Sequence, residues 1–200
     1  MRGYWLNLQE NKMESVSRWP LLQKAFARFG RPVVVVDLET TGGNLYQDRV
    51  TEVALLRFDG QSVCRYEWLV NPCKPIPEFV EQLTGISNKM VKTAPLFAEI
   101  ASQLLPLLQG AVVAHNSRFD YTFLRHEFRR AGIDFAAPAL CTVQLSRRLY
   151  PEFYKHNLDS IIERNAIAVE NRHRAMTDVL ALSDYLEHSL REKNTEDWDN

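Results

Sequence analysis

Apolar and polar residues follow two different periods along this chain, and the changes of period mark its elements. Between Ser17 and Gly30 the apolar positions Trp19, Leu22, Phe26 and Phe29 recur three and four residues apart, as on one face of a helix. Pro20 fits an early helical position, Gly30 a stop, and Arg31-Pro32 breaks the run. The spacing predicts an amphipathic helix within an N-terminal extension, residues 1–32, that opens on a polar, irregular stretch. The apolar face is expected to pack on the chain's own main domain. The alternative is a helix that binds a partner.

The period then shortens. Val33 to Val36 is a continuous β-branched run, short enough for a buried central strand, and it ends at Asp37. Val50–Phe58 and Val63–Val70 are two more candidate strands, and Asp59-Gly60 between them signals a tight hairpin. Prolines and lysines around Asn71–Pro77 mark a loop. Leu96–Leu108 is helix-like, Ala111–Ala114 a short strand, and a helix is expected from about Ser117 to Arg130. Ala139–Thr142 is a candidate last strand, with helices over Leu158–Glu163 and Ala175–Leu190. In the last helix Val179, Leu182, Leu186 and Leu190 form the apolar stripe. Residues 191–200 read as an acidic tail that frays. This order predicts an α/β fold: a mixed five-stranded sheet, an antiparallel meander followed by parallel strands, with helices on both faces.

Composition narrows the function classes. A chain of 200 residues, 46% hydrophobic and 24% charged, fits one globular domain with a short extension. A formal net charge of −1 speaks against a protein that coats nucleic acid along its length. Any nucleic-acid contact should therefore be local and assisted by bound cations. Cys64, Cys73 and Cys141 are too few and too scattered for a disulfide framework or a zinc site. With no long apolar segment and no secretory signal pattern, no membrane contact is expected and the reducing cytoplasm is the expected compartment.

Acidic residues at element ends carry the candidate chemistry. In Asp37-Leu38-Glu39-Thr40-Thr41-Gly42, the first and third residues of a strand end point the same way, so two carboxylates share one face. They repel unless a positive charge lies between them, and a divalent ion with oxygen ligands fits. Gly42 and Gly43 are expected to let the backbone approach a ligand. Taken alone, the pair also fits a strand end running into a solvated loop. His115-Asn116-Ser117-Arg118-Phe119-Asp120 adds an acid at a helix start, where plain capping is the rival reading. His173-Arg174-Ala175-Met176-Thr177-Asp178 adds a histidine and a fourth acid at another helix start. Four carboxylates and a histidine are together the inventory for two-metal phosphodiester hydrolysis, with the histidine as general base.

The blocks DLETTG, HNSRFD and HRAMTD, in that order, resemble the signature of the DEDD exonuclease superfamily in its histidine-containing, DnaQ-like DEDDh branch. That branch includes the proofreading epsilon subunit of bacterial DNA polymerase III, ribonuclease T and oligoribonuclease. Leu83-Thr84-Gly85-Ile86 and His156-Asn157-Leu158-Asp159-Ser160 are also similar to family segments. The resemblance covers roughly residues 33–190 and implies an exonuclease domain of ribonuclease-H-like fold. By it, Asp37, Glu39 and Asp178 hold one Mg²⁺ or Mn²⁺, while Asp37 and Asp120 help with a second. His173 is the implied general base, and Thr40, Ile86, Asn116 and Phe119 the implied contacts to the 3′-terminal nucleotide. For Ile86 and Asn116, packing or capping is the alternative. The implied activity is 3′→5′ exonucleolytic hydrolysis releasing nucleoside 5′-monophosphates, from DNA in preference to RNA by likeness to the epsilon type. A DNA polymerase subunit is an implied partner. RNA 3′-end trimming, or a silent nucleic-acid-binding module, are the competing readings.

Overall fold

The computed structural model describes residues 18–60 and 62–193. Most of the stretch before Trp19, and the acidic tail beyond Lys193, lie outside these residues. The sheet has five strands in the order β3-β2-β1-β4-β5: β1 (Val33–Thr40), β2 (Val50–Asp59), β3 (Ser62–Leu69), β4 (Ala111–Ala114) and β5 (Ala139–Cys141). The first three form the expected antiparallel meander, and β4 and β5 add in parallel on the other side of β1. The mixed α/β sheet of the sequence analysis is thus what forms.

β1 is central and decides the layering. Its alternate residues feed two separate cores. Val33 and Val35 pack with α8 (Ala175–Glu192), α7 (Leu158–Arg164), α6 (Thr142–Leu149) and α1 (Pro20–Ala27). Val34, Val36 and Leu38 pack on the opposite side with α4 (Phe97–Leu107) and α5 (Ser117–Arg130). Asp37 and Glu39 continue the Val33–Val35 side, so the strand delivers both carboxylates toward α8. Unlike the expected strand ending at Asp37, β1 runs on to Thr40 because β2 pairs with it through Glu39↔Glu52. The register shifts only after Glu39.

Three helices were not visible in the apolar pattern. The short α2 (Glu78–Thr84) and α3 (Asn88–Val91) pack a small cluster of Ile76, Val80, Ile86 and Val91. α6 follows β5 with no linker residue, so the sequence offers no punctuation between them.

α1 is shorter than its pattern suggested. It stops at Ala27, and Phe29, expected on the buried face, is 48% exposed because the chain turns out through Gly30 at φ 63°. Trp19, Leu22 and Phe26 are buried in the same core as β1 and α8. α8 supplies the polar fastening. The Trp19 indole donates to Asp184 at 2.7 Å, and the Leu22 amide donates to the buried Glu187 carboxylate at 2.8 Å. Glu187 therefore satisfies a first-turn amide that α1 has no side-chain cap for. Trp19→Ala is expected to destabilise the fold by about 3–5 kcal/mol through the cavity it leaves, while the folded fraction keeps its activity. An unchanged melting temperature in that variant would show that α1 is not part of the core.

Candidate active site

Three elements converge at the C-terminal end of β1. Asp37 and Glu39 come from the strand, Asp178 from the first turn of α8, and ligand oxygens from all three lie within 4.8 Å of one another. Asp120, in the first turn of α5, is buried beside them. Its carboxylate accepts from the Leu38 amide, and its charge acts on Asp37. Asp120 completes the acidic wall without joining the tight group of three.

Burial and mutual repulsion govern how these groups titrate. Removal from water, then the charges of Asp120, Asp178 and Glu39, push the Asp37 carboxyl well above the carboxylate range. Burial, then Asp178 and Glu52, push Glu39 up to about 8. Burial likewise raises Asp120 to about 8, although its own amide and that of Leu38 oppose the rise. Asp178 is raised by burial and held back chiefly by Arg172. Hard oxygen donors, crowded and short of positive charge, fit a divalent ion such as Mg²⁺ or Mn²⁺.

His173 lies on the loop before α8. It is half-buried, sits at φ 63°, and bears electrostatically on Asp178. The implied substrate contacts are distributed unevenly. Thr40 is buried and its hydroxyl donates to the Gly42 carbonyl at 2.7 Å. Asn116 is exposed and left-handed at φ 64°, with no capping hydrogen bond from its side chain. Phe119 is half-buried, with its ring 4.8 Å from that of Phe123. Ile86 is fully buried among apolar residues. Gly42 has a reason other than ligand approach: a Cβ there would meet the Asp48 carboxylate at 2.5 Å. That carboxylate ties the loop together through the Thr41 hydroxyl, the Asn44 amide and Lys74. Gly43 faces open space.

Two positioning residues lie outside the three acidic blocks. Glu52 on β2 is fully buried opposite Glu39 and accepts from the Arg174 guanidinium and, at 2.8 Å, from the Ala175 amide. It caps α8 from the sheet and so fixes where Asp178 sits. An acid inside the apolar run VTEVALL was the available signal. Asp159, at the start of α7, accepts from Arg172 at 2.8 Å. His115 is held neutral by burial, its pKa lowered to about 4, and bonds Thr142 at 2.9 Å, tying the end of β4 to α6.

The RNase_T exonuclease family model matches residues 34–186 of this chain. The chain belongs to this exonuclease family. It is 39% identical over 149 residues to "3'-5' exonuclease DinG" of Bacillus subtilis, a match covering 72% of this chain and 16% of that protein. It is 35% identical over 153 residues to a PolC-type DNA polymerase III of Caldanaerobacter subterraneus, covering 76% of this chain and 11% of the polymerase. The chain thus spans only a small part of the relatives' length. Among solved structures, E. coli exonuclease I with a dA16 oligonucleotide shares the fold at TM-score 0.73 and 21% identity, over 84% of this chain and 42% of that one. Exonuclease X with 5′-overhanging duplex DNA does so at TM-score 0.66 and 24% identity, over 80% and 92%. The expected DEDD-type exonuclease family and the expected ribonuclease-H-like α/β fold stand on these findings.

The raised Glu39 carboxyl sets a sign for the metal-free protein. A group protonated in the fold up to about pH 8, against an ordinary value of 4.5, contributes stability that is fully present below pH 4.5 and lost as pH rises toward 8. In chelator, Glu39→Gln should therefore match the parent near pH 4.5 and melt higher at pH 8. Parallel melting curves across that range would show that Glu39 is not held protonated.

Proposed function

We propose that this chain hydrolyses nucleic acid from its 3′ end, one nucleotide at a time, using two Mg²⁺ or Mn²⁺ ions and releasing nucleoside 5′-monophosphates. The observation that carries this reading is the meeting of Asp37, Glu39 and Asp178 within 4.8 Å, with Asp120 beside them. When bound, the two ions supply charge to the attacking and leaving oxygens of the phosphodiester. Asp37, Glu39 and Asp178 would hold one of them, and Asp37 and Asp120 would help hold the other. Burial keeps these carboxylates in low dielectric, where their hold on a cation is strong. His173 takes the proton of the attacking water on a ring nitrogen. Asn116 and Phe119, at the start of α5, meet the terminal nucleotide, and Thr40 holds the strand end through Gly42. Ile86, buried with Ile76, Val80 and Val91, is a further contact to that nucleotide in this reading, with packing as the alternative.

DNA is the preferred substrate in this reading, supported by relatives named as DNA polymerases and by neighbours solved with DNA. RNA trimming uses the same site residues and is the second reading. The catalytic domain is placed at residues 33–190, with residues 1–32 as an extension and 191–200 as a tail. A polymerase subunit is the proposed partner, by analogy with the PolC-type relatives. Among the described residues no helix is long and apolar enough to cross a membrane. The unpaired Cys64, Cys73 and Cys141 suit the reducing cytoplasm as the working compartment.

Digestion of 3′- and 5′-labelled DNA and RNA oligomers tests the reading. The 3′ label should leave first as a mononucleotide, DNA should be cut faster, and chelator should stop the reaction until Mg²⁺ or Mn²⁺ is restored. Full activity in excess chelator would overturn the metal-ion mechanism. His173→Ala should lower kcat by roughly 10²–10⁴-fold with little change in oligonucleotide affinity. A near-normal kcat would remove His173 from the chemistry.

A further inference from the structure

One cation already stands in the acidic group. Arg172, on the loop before α8, brings its Nη1 against the Asp178 carboxylate. The other side of the guanidinium is anchored on Asp159, with Nη2 at 2.7 Å and Nε at 2.8 Å from Oδ1. Arg172 is largely covered while Asp159 is 64% exposed, so the fork reaches inward from the rim of the site. Its charge also reaches Asp37 and Glu39 and opposes the repulsion there.

The two ends of this arginine are held differently. Toward Asp159 it makes directed hydrogen bonds. Toward Asp178 only one nitrogen, Nη1, makes contact, with Oδ1. The neighbouring Arg174, by contrast, sets both Nε and Nη2 on the one carboxylate of Glu52. The flanking Asn171 and His173 both take left-handed backbone, φ 56° and 63°, a conformation that L residues adopt reluctantly. Those two turns send Arg172 into the acids and Arg174 to the sheet. A guanidinium that leaves Asp178 keeps its partner at Asp159 and is not stranded.

We propose that Arg172 is a placeholder cation: it occupies the acidic group in the metal-free protein, anchored on Asp159, and gives way at Asp178 when divalent ions enter. The inference rests on the metal-binding reading of the site. It makes metal affinity a competition between the chain's own guanidinium and the ion.

The test is Mn²⁺ binding by isothermal titration calorimetry on the full chain without substrate, for the parent, Arg172→Gln and Arg172→Lys. Arg172→Gln should bind Mn²⁺ tighter by roughly tenfold or more, the scale of one partly screened charge contact. Arg172→Lys, which keeps charge but loses the fork, should fall between the two. In the parent, the Arg172 Nε–H resonance, assigned by its loss in Arg172→Lys, should shift as Mg²⁺ is added and saturate with metal occupancy. Equal Mn²⁺ affinity in the parent and Arg172→Gln, or an Arg172 resonance indifferent to bound Mg²⁺, would overturn the proposal and leave the metal site standing. Absence of Mn²⁺ binding in all three proteins would overturn the metal reading and this inference with it.

Discussion

Like charges buried together are the constraint on which this structure turns. Three carboxylates have ligand oxygens within 4.8 Å of one another, and a fourth is buried at their side. Burial and repulsion drive Asp37, Glu39 and Asp120 toward their protonated forms, a state of no use for holding a cation. Positive charge reverses this: a divalent ion releases the protons as it binds, which couples metal occupancy to pH and to the stability of the fold. In the proposed reading the chain needs no basic surface to meet a phosphodiester, because the ions bring charge to one point. A formal net charge of −1 is consistent with that economy.

The rest of the fold serves to hold that point in place. Strand alternation along β1 sets Val33 and Val35 into one core and, further on, aims Asp37 and Glu39 toward α8. Glu52, paired across the sheet with Glu39, grips Arg174 and the Ala175 amide and so fixes the end of α8 that carries Asp178. α8 is in turn buttressed by α1, whose Trp19 and Leu22 amide are fastened to Asp184 and Glu187. Acids on α8 therefore serve two places, the acidic group at Asp178 and the fastening of α1 at Asp184 and Glu187. The loop between α7 and α8 is the contrasting part. Its left-handed residues, and an arginine that meets Asp178 through Nη1 alone, make it the element best suited to rearrange.

Much of this was legible from the residues. The valine run, the Asp59-Gly60 hairpin and the long amphipathic α8 carry strong local periods, and each formed close to where the pattern put it. Acids of two blocks, Asp37, Glu39 and Asp178, meet within 4.8 Å, and Asp120 of the third is buried beside them. What the sequence hid is of two kinds. Short helices such as α2, α3 and α6 lack enough turns to show a period, and α6 follows β5 without a break. Long-range partners have no local signature at all: Glu52 with Arg174, Arg172 with Asp159, and Gly42 with Asp48 are separated in sequence and meet only in the fold. Phe29 shows the limit of the pattern itself, since it keeps the helical spacing of α1 after the helix has ended.

The central claim is that the acids at the end of β1 form a cation site. An anomalous difference map from crystals soaked in Mn²⁺ tests it most directly. A peak coordinated by Asp37, Glu39 and Asp178 is expected, with density for a second ion between Asp37 and Asp120 and with Arg172 withdrawn from Asp178. An ordered site with no anomalous peak among these carboxylates at saturating Mn²⁺ would contradict it.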